Sequence, residues 1–159
     1  MSIKYIPIGT IHTPFKTTEG MPIQSGGAIG IKGIIKLRKK YIKGLLDLEG
    51  FSHIYLIYHF HKSKGFELQV RPFLDDRLHG VFSTRAPKRP NPIGISVVKL
   101  ITVKDNILEI ENVDIIDGTP LLDIKPYISG FDIHNIEKRG WINEKLTKLN
   151  EIKSDERFK

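Results

Sequence analysis

The apolar residues of this chain come in short runs rich in Ile and Val, and Gly, Pro or Asn/Asp closes nearly every run. β-branched side chains lose freedom in a helix and fit a pleated surface, so such runs specify strands. Tyr5–Ile11 ends at the Thr13-Pro14 break, where the residue before proline is pushed out of the helical region. Ile29–Leu37 (IGIKGIIKL), His53–His61 (HIYLIYHFH), Leu68–Arg71, Val81–Ser83, Gly94–Val103 and Ile107–Ile116 follow. The Asp105-Asn106 turn joins the last two as a hairpin. Short strands at this spacing predict a mainly β chain, a single sheet closed into a barrel.

Helical spacing is confined to two places. Lys39–Leu48 sets Tyr41, Leu45 and Leu48 near one face, and Trp141–Lys153 does the same with Trp141, Ile142, Leu146, Leu149 and Ile152. The expected organisation is therefore a barrel domain over 1–130 with a few short helices, then a helical C-terminal extension over 131–159.

A chain of 159 residues can bury one core without covalent staples. The absence of Cys excludes disulfides, thiolate metal sites and a Cys nucleophile. Twenty-five Lys and Arg against 18 Asp and Glu leave a net charge of +7, which favours polyanionic partners, nucleic acid first. The longest uncharged apolar stretch, Phe51–Phe60, contains His53 and His59 and falls far short of the roughly 20 residues that span a bilayer. Met1–Thr10 lacks the pattern of a secretory signal. The expectation is a soluble cytoplasmic protein with no membrane partner.

Four segments concentrate chemistry. In Met21–Gly27 (MPIQSGG), small residues let backbone N–H groups approach a ligand closely, or simply make a flexible loop. Along Phe51–His61 a strand would put His53, Tyr55, Ile57, His59 and His61 on one face. Three of these imidazoles would spread over about 26 Å, with no carboxylate or Cys to complete a set, so no metal site is expected. The strand's end at His61-Lys62-Ser63 is where polar groups can ring the mouth of a site. Gly80–Gly94 (GVFSTRAPKRPNPIG) holds Pro87, Pro90 and Pro92, each fixing φ, so it is stiff before a ligand arrives. Its Arg85 and Arg89 can each grip a carboxylate or phosphate with two hydrogen bonds. In Asn112–Tyr127, Asp117 can cap the Asp117-Gly118 turn or accept from a ligand, and spacing alone does not choose.

Taken together these segments resemble the TsaA-like, or TrmO, family. The matching strings are IGTIHTPF (8–15), the 22–26 loop, GFSHIYLIYHFH (50–61), VRPF (70–73), GVFSTRAPKRPNPIGIS (80–96) and DGTPLLDIKPY (117–127). The resemblance implies a single-sheet β-barrel that works as a homodimer. It implies S-adenosyl-L-methionine as cofactor and methyl transfer to N6 of N6-threonylcarbamoyladenosine, beside the anticodon in the tRNA anticodon stem-loop. It places the cofactor on Gln24, Ser25, Gly26, His61, Lys62, Arg85, Ile95 and the stretch Glu111, Asn112, Val113, Asp114. No G-x-G-x-x-G follows a strand, consistent with a site that is not of the Rossmann type.

In that substrate N6 belongs to a urea and must lose its proton before or during attack, so a base or anion-stabilising donors would help. Asp114, Asp117 and His61 are candidate bases; Arg85, Lys88 and Arg89 are candidate partners for carboxylate or phosphate. Arg85 and Asp117 are expected near the reacting groups, with the base unassigned. A non-catalytic RNA-binding barrel and a methyltransferase of a small adenine derivative are the alternatives. The run Lys32, Lys36, Arg38, Lys39, Lys40 and Lys43 contains no acid and, with Lys88 and Arg89, is expected to follow the anticodon-stem phosphates.

Overall fold

A computed structural model describes residues 1–148 and 150–158. Six strands form a closed antiparallel barrel: β1 (Gly9–His12), β2 (Lys32–Leu37), β3 (His53–His59), β6 (Ile93–Lys104), β7 (Ile107–Glu111) and β8 (Thr119–Pro126). The order around the barrel is β1-β2-β7-β6-β3-β8, with β8 pairing back to β1. Two short strands, β4 (Gln69–Val70) and β5 (His79–Gly80), pair separately. The helix α1 covers only Ser129–Asp132.

The alternation of each strand fills the barrel. Residues 54, 56 and 58 of β3 and 94, 96, 98 and 100 of β6 point inward, as do Ile35 and Leu37 of β2. Ile11, Ile35, Ile54, Leu56, Val98, Leu108 and Leu121 are all fully buried. Full burial of each such side chain stabilises the fold by about 1.5–3 kcal/mol. The β6–β7 hairpin forms at the expected place, with Asp105 at φ 52. Asp tolerates that left-handed conformation, which the primed hairpin turns require.

Several expected boundaries shift. Tyr5–Ile8 and Ile29–Ile31 lie outside their strands, which start at Gly9 and Lys32. The run begun at Ile107 ends at Glu111, because Asn112 turns the chain at φ 66. Val81–Ser83 is not a strand but a 3-10 turn, held where Ser83 Oγ and Thr84 Oγ1 donate to the carbonyls of Gly80 and Val81. Such local side-chain bonds compete with sheet pairing.

Neither helical segment is an α-helix. Lys39–Leu45 is 3-10, and Asp47 at φ 66 separates it from a second 3-10 turn over Leu48–Gly50. The C-terminal segment is 3-10 over Gly140–Lys148 and then turns, so that Lys153 makes a β-bridge with Pro22. Leu149, part of the expected helical face, lies outside the described residues. Among the described residues no helix is long and apolar enough to cross a membrane.

Candidate active site

One end of the barrel is defined by the C-terminal ends of β1, β3 and β7 and the N-terminal ends of β2, β6 and β8. A cavity of about 580 Å³ opens there. Its size is that of a small-molecule site. The chain past β3 supplies Phe60, His61 and Lys62; the Pro-rich loop supplies Arg85, Pro87 and Arg89; β6 supplies Ile93, Gly94 and Ile95. Asp114, Ile115 and Ile116 come from the stretch after β7, and Pro22, Ile23 and Gln24 from the loop before β2.

Of the expected cofactor positions, Gln24, His61, Lys62, Arg85, Ile95 and Asp114 therefore surround one space. Ser25, Gly26, Glu111, Asn112 and Val113 do not line it. Val113 is fully buried in the core, and Asn112 Oδ1 accepts from the Gly30 backbone N–H at 2.9 Å. Glu111 closes β7, opposite Lys32 and Lys99.

Asp117 faces a different, smaller cleft of about 480 Å³, together with His12, Lys16 and Lys32. Its carboxylate accepts from Lys16 Nζ at 2.7 Å and the Thr13 backbone N–H at 3.0 Å, and His12 Nδ1 is 3.4 Å away. The Lys16 and Thr13 bonds hold its pKa down to about 2. A carboxylate so occupied is a weak proton acceptor, and it fixes the turn that leads into β8.

Within the large cavity the guanidinium of Arg85 donates to Gln24 Oε1 at 2.7 Å, joining the Pro-rich loop to the loop before β2. Arg89 has another task. Its Nη1 donates to the carbonyls of Val81, Thr84 and Ala86 at 3.3, 2.9 and 3.1 Å, bracing the loop that carries Arg85. Lys88 pairs with Glu67 at 3.2 Å.

Asp114 is largely enclosed. Burial raises its pKa to about 6, against the opposing effect of a bond from Ser96 Oγ at 2.7 Å. His61 contacts Thr119 Oγ1 through Nδ1 at 3.3 Å, while that hydroxyl donates to the Ile116 carbonyl at 2.7 Å. The single hydroxyl proton is thus taken, the ring must donate at Nδ1, and Nε2 keeps its lone pair. Burial first, then the neighbouring Lys62, lowers the His61 pKa, which favours the neutral ring.

Ser154, Asp155 and Phe158 also line the cavity, and no motif in the sequence pointed to them. Ser154 Oγ accepts from the Met21 backbone N–H and donates to the Thr18 carbonyl, while its backbone pairs with Gly20 and Met21. The far end of the chain thereby fastens one wall. By contrast, the run Lys32–Lys43 divides along the barrel. Lys32 lies at the cavity end, whereas Lys39, Lys40 and Lys43 follow the C-terminal end of β2, at the opposite pole.

The donor set suits S-adenosylmethionine. Arg85 can take its carboxylate, Asp114 carries negative charge for a cationic group, and Phe60, Ile93, Ile95 and Ile116 offer apolar surface to adenine.

Residues 10–133 match the family model of the tRNA-methyltransferase O N-terminal domain. A probable S-adenosyl-L-methionine-binding protein of Pyrococcus abyssi is 51% identical over 158 residues, covering 99% of this chain and 86% of that protein. The mouse tRNA (adenine(37)-N6)-methyltransferase is 38% identical over 133 residues, and the match spans 79% of this chain but 31% of that enzyme. The crystal structure of TrmO from Pseudomonas aeruginosa superposes with a TM-score of 0.75 at 34% identity, over 89% of this chain and 62% of that one. Barrel, motifs and relatives agree, and the chain belongs to the tRNA-methyltransferase O N-terminal domain family.

Proposed function

We propose that this chain is an S-adenosylmethionine-dependent methyltransferase acting on N6 of an adenosine in tRNA. We propose further that the nucleoside is N6-threonylcarbamoyladenosine beside the anticodon and that the chain works as a cytoplasmic homodimer. The observation that carries this is the convergence of Gln24, His61, Lys62, Arg85, Ile95 and Asp114, from separate segments, around one cavity. The names of the mouse and P. abyssi relatives support the reaction and the cofactor.

When bound, S-adenosylmethionine supplies an electrophilic methyl group on a sulfonium whose departure is neutral. The protein therefore has mainly to align and to exclude water. Arg85, fixed by Gln24 and by the Arg89-braced loop, holds a carboxylate. Ile93 and Ile95 exclude water from the apolar wall. His61, donating at Nδ1 with its pKa lowered by burial, would use the lone pair of Nε2 to accept the N6 proton. Asp117, bound to Lys16 outside the cavity, takes no part in that transfer.

The test is methyl transfer from labelled S-adenosylmethionine to tRNA lacking the modification, with the free nucleoside in parallel and cofactor binding followed by calorimetry. Label in the digested threonylcarbamoyl nucleoside of tRNA is expected. Cofactor binding without transfer would leave an RNA-binding barrel, and transfer to the free nucleoside alone would make this a small-molecule enzyme.

A further inference from the structure

On the cavity wall, two buried hydroxyls and the half-buried Asp114 carboxylate form a directed chain. Ser96 Oγ donates to Asp114 Oδ1 at 2.7 Å and lies 3.0 Å from the Tyr58 hydroxyl. Ser96 has one proton, and Asp114 receives it. Tyr58 must then donate to Ser96, so the hydrogen bonds run Tyr58 to Ser96 to Asp114. Tyr58 and Ser96 are 5% and 4% exposed, so no bulk solvent substitutes for either bond. Burial and the Asp114 charge raise the Tyr58 pKa well above its ordinary value, which keeps the phenol a donor.

The backbone is shaped to admit this chain. Gly94 pairs directly with Tyr58 across β3 and β6. A Cβ at Gly94 would lie 2.3 Å from Tyr58 Cε2 and 2.6 Å from its Cζ, so only glycine lets the ring lie flat on β6 with its hydroxyl at Ser96. The Gly-x-Ser of β6 and the Tyr of β3 are thus one device whose output is the orientation of Asp114.

We infer that Tyr58 and Ser96 are positioning residues that hold the Asp114 carboxylate, ionised and aimed into the cavity, for the α-ammonium of the methyl donor. The assignment to an ammonium follows from the neighbours. Arg85 exerts its field on Asp114 and is anchored to Gln24, the residue before Ser25, whose backbone N–H also bonds the carboxylate. An Arg and an Asp facing one space match the carboxylate and ammonium that an amino acid bears on a single carbon. This rests on the functional reading above, but the hydrogen-bond chain itself is independent of that reading.

The charged and titratable groups around Asp114 are Tyr58 on β3 and Arg85 on the Pro-rich loop, with His61 and Lys62 on the same cavity wall. Comparing variants that keep all four except the one changed isolates Asp114. The experiment has two arms. In ligand-free protein, the Asp114 carboxyl carbon is titrated by NMR in wild type, Ser96→Ala and Tyr58→Phe, with thermal melting as the check on folding. In the second arm, S-adenosylmethionine affinity is measured calorimetrically from pH 5 to 8, with Asp114→Asn added.

Loss of a donor to the charged form should raise the Asp114 midpoint by about one pH unit in Ser96→Ala and by less in Tyr58→Phe. Affinity in Ser96→Ala should fall roughly fivefold near pH 6 and recover toward pH 8, whereas Asp114→Asn should bind weakly at every pH. Wild-type binding with unchanged Ser96→Ala titration and pH profile overturns this assignment alone. No wild-type binding of S-adenosylmethionine overturns the functional reading with it, while the ligand-free titration still reports on the hydrogen-bond chain.

Discussion

The indole of Trp141 lies stacked on the imidazole of His79, ring centroids 4.4 Å apart and planes 26° from parallel. The indole N–H donates to the Ser83 carbonyl at 2.8 Å. Beneath the stack sits Asp75, whose side chain is 7% exposed and which meets Lys145 Nζ at 2.8 Å, His79 Nε2 at 3.1 Å and Arg77 Nη2 at 3.4 Å. The C-terminal segment is thus docked on the β4–β5 region through the Trp141 stack and the Asp75 carboxylate, and Ser154 carries the docking on to the cavity.

Lys145 first, then His79 and Arg77, hold the Asp75 pKa well below the usual carboxylate range. A depressed carboxylate contributes stability that is present above its unfolded value near 4 and is lost as pH falls through the lower folded value. Asp75→Asn should therefore lower the melting temperature at pH 7, with the deficit shrinking in strong acid. It should also speed proteolysis and hydrogen exchange over 140–158. Unchanged protection of that segment would show that the anchor lies elsewhere.

Arg89 braces three carbonyls with one planar group. All three bonds come from Nη1, and a lysine ammonium stands one atom nearer the backbone, so Arg89→Lys should be nearly as harmful as Arg89→Ala. Each should weaken cofactor binding by about 1–3 kcal/mol through misplacement of Arg85, as buried carbonyls lose their donor. Calorimetry of both variants beside Arg85→Ala checks this. A Lys variant with wild-type affinity would show that charge, and not the bracing, is what matters.

Asp114 has the opposite linkage to Asp75. Its folded pKa is raised to about 6, so its contribution to stability is fullest below the unfolded value near 4 and declines as pH rises through about 6. Asp114→Asn should stabilise the ligand-free protein at pH 8, on the order of 2 kcal/mol, and should make little difference at pH 4. Chemical denaturation at the two pH values measures it. A destabilised Asn variant at pH 8 would mean that the carboxylate is better solvated than its enclosure implies.

The barrel was legible because it rests on local rules. Period-two burial in β3 and β6 and the Asp105-Asn106 turn are written in adjacent residues. The cavity was legible in part, through the string that carries Arg85 and the neighbouring stretch 111–114 that carries Asp114. What stayed hidden depends on pairings across the chain. The alternation along β3 shows His53 and His59 on the outward face, but not that the inward Tyr58 bonds Ser96, 38 positions away. Ser154 closes the wall by bonding Met21 across 133 positions, which no periodicity in one sequence announces. Val81–Ser83 looked like a strand because its apolar content is visible and its hydroxyl-to-carbonyl bonds are not.

The division of the basic run changes where tRNA phosphates should lie. Lys39, Lys40 and Lys43 occupy the pole opposite the cavity, and Lys40 is already placed over the Tyr41 ring, 4.9 Å from its centroid. Lys16, paired with Asp117 but still largely exposed, and Lys64 stand on the cavity rim, where a nucleotide entering the site must bring its flanking phosphates. Phosphate binding raises affinity by counterion release without reading bases. A double Lys16→Gln, Lys64→Gln variant should therefore weaken tRNA binding similarly across tRNA species, and should flatten the log–log salt dependence by roughly 0.7–0.9 for each phosphate left without its lysine. The triple variant Lys39→Gln, Lys40→Gln, Lys43→Gln should bind nearly as wild type does, and both should keep their affinity for S-adenosylmethionine. Filter binding over a salt series compares them. If the triple variant fell as far in affinity and slope as the rim pair, the RNA would have to run the full length of the barrel, and the footprint would belong to the outer face of β2 as well as to the mouth of the cavity.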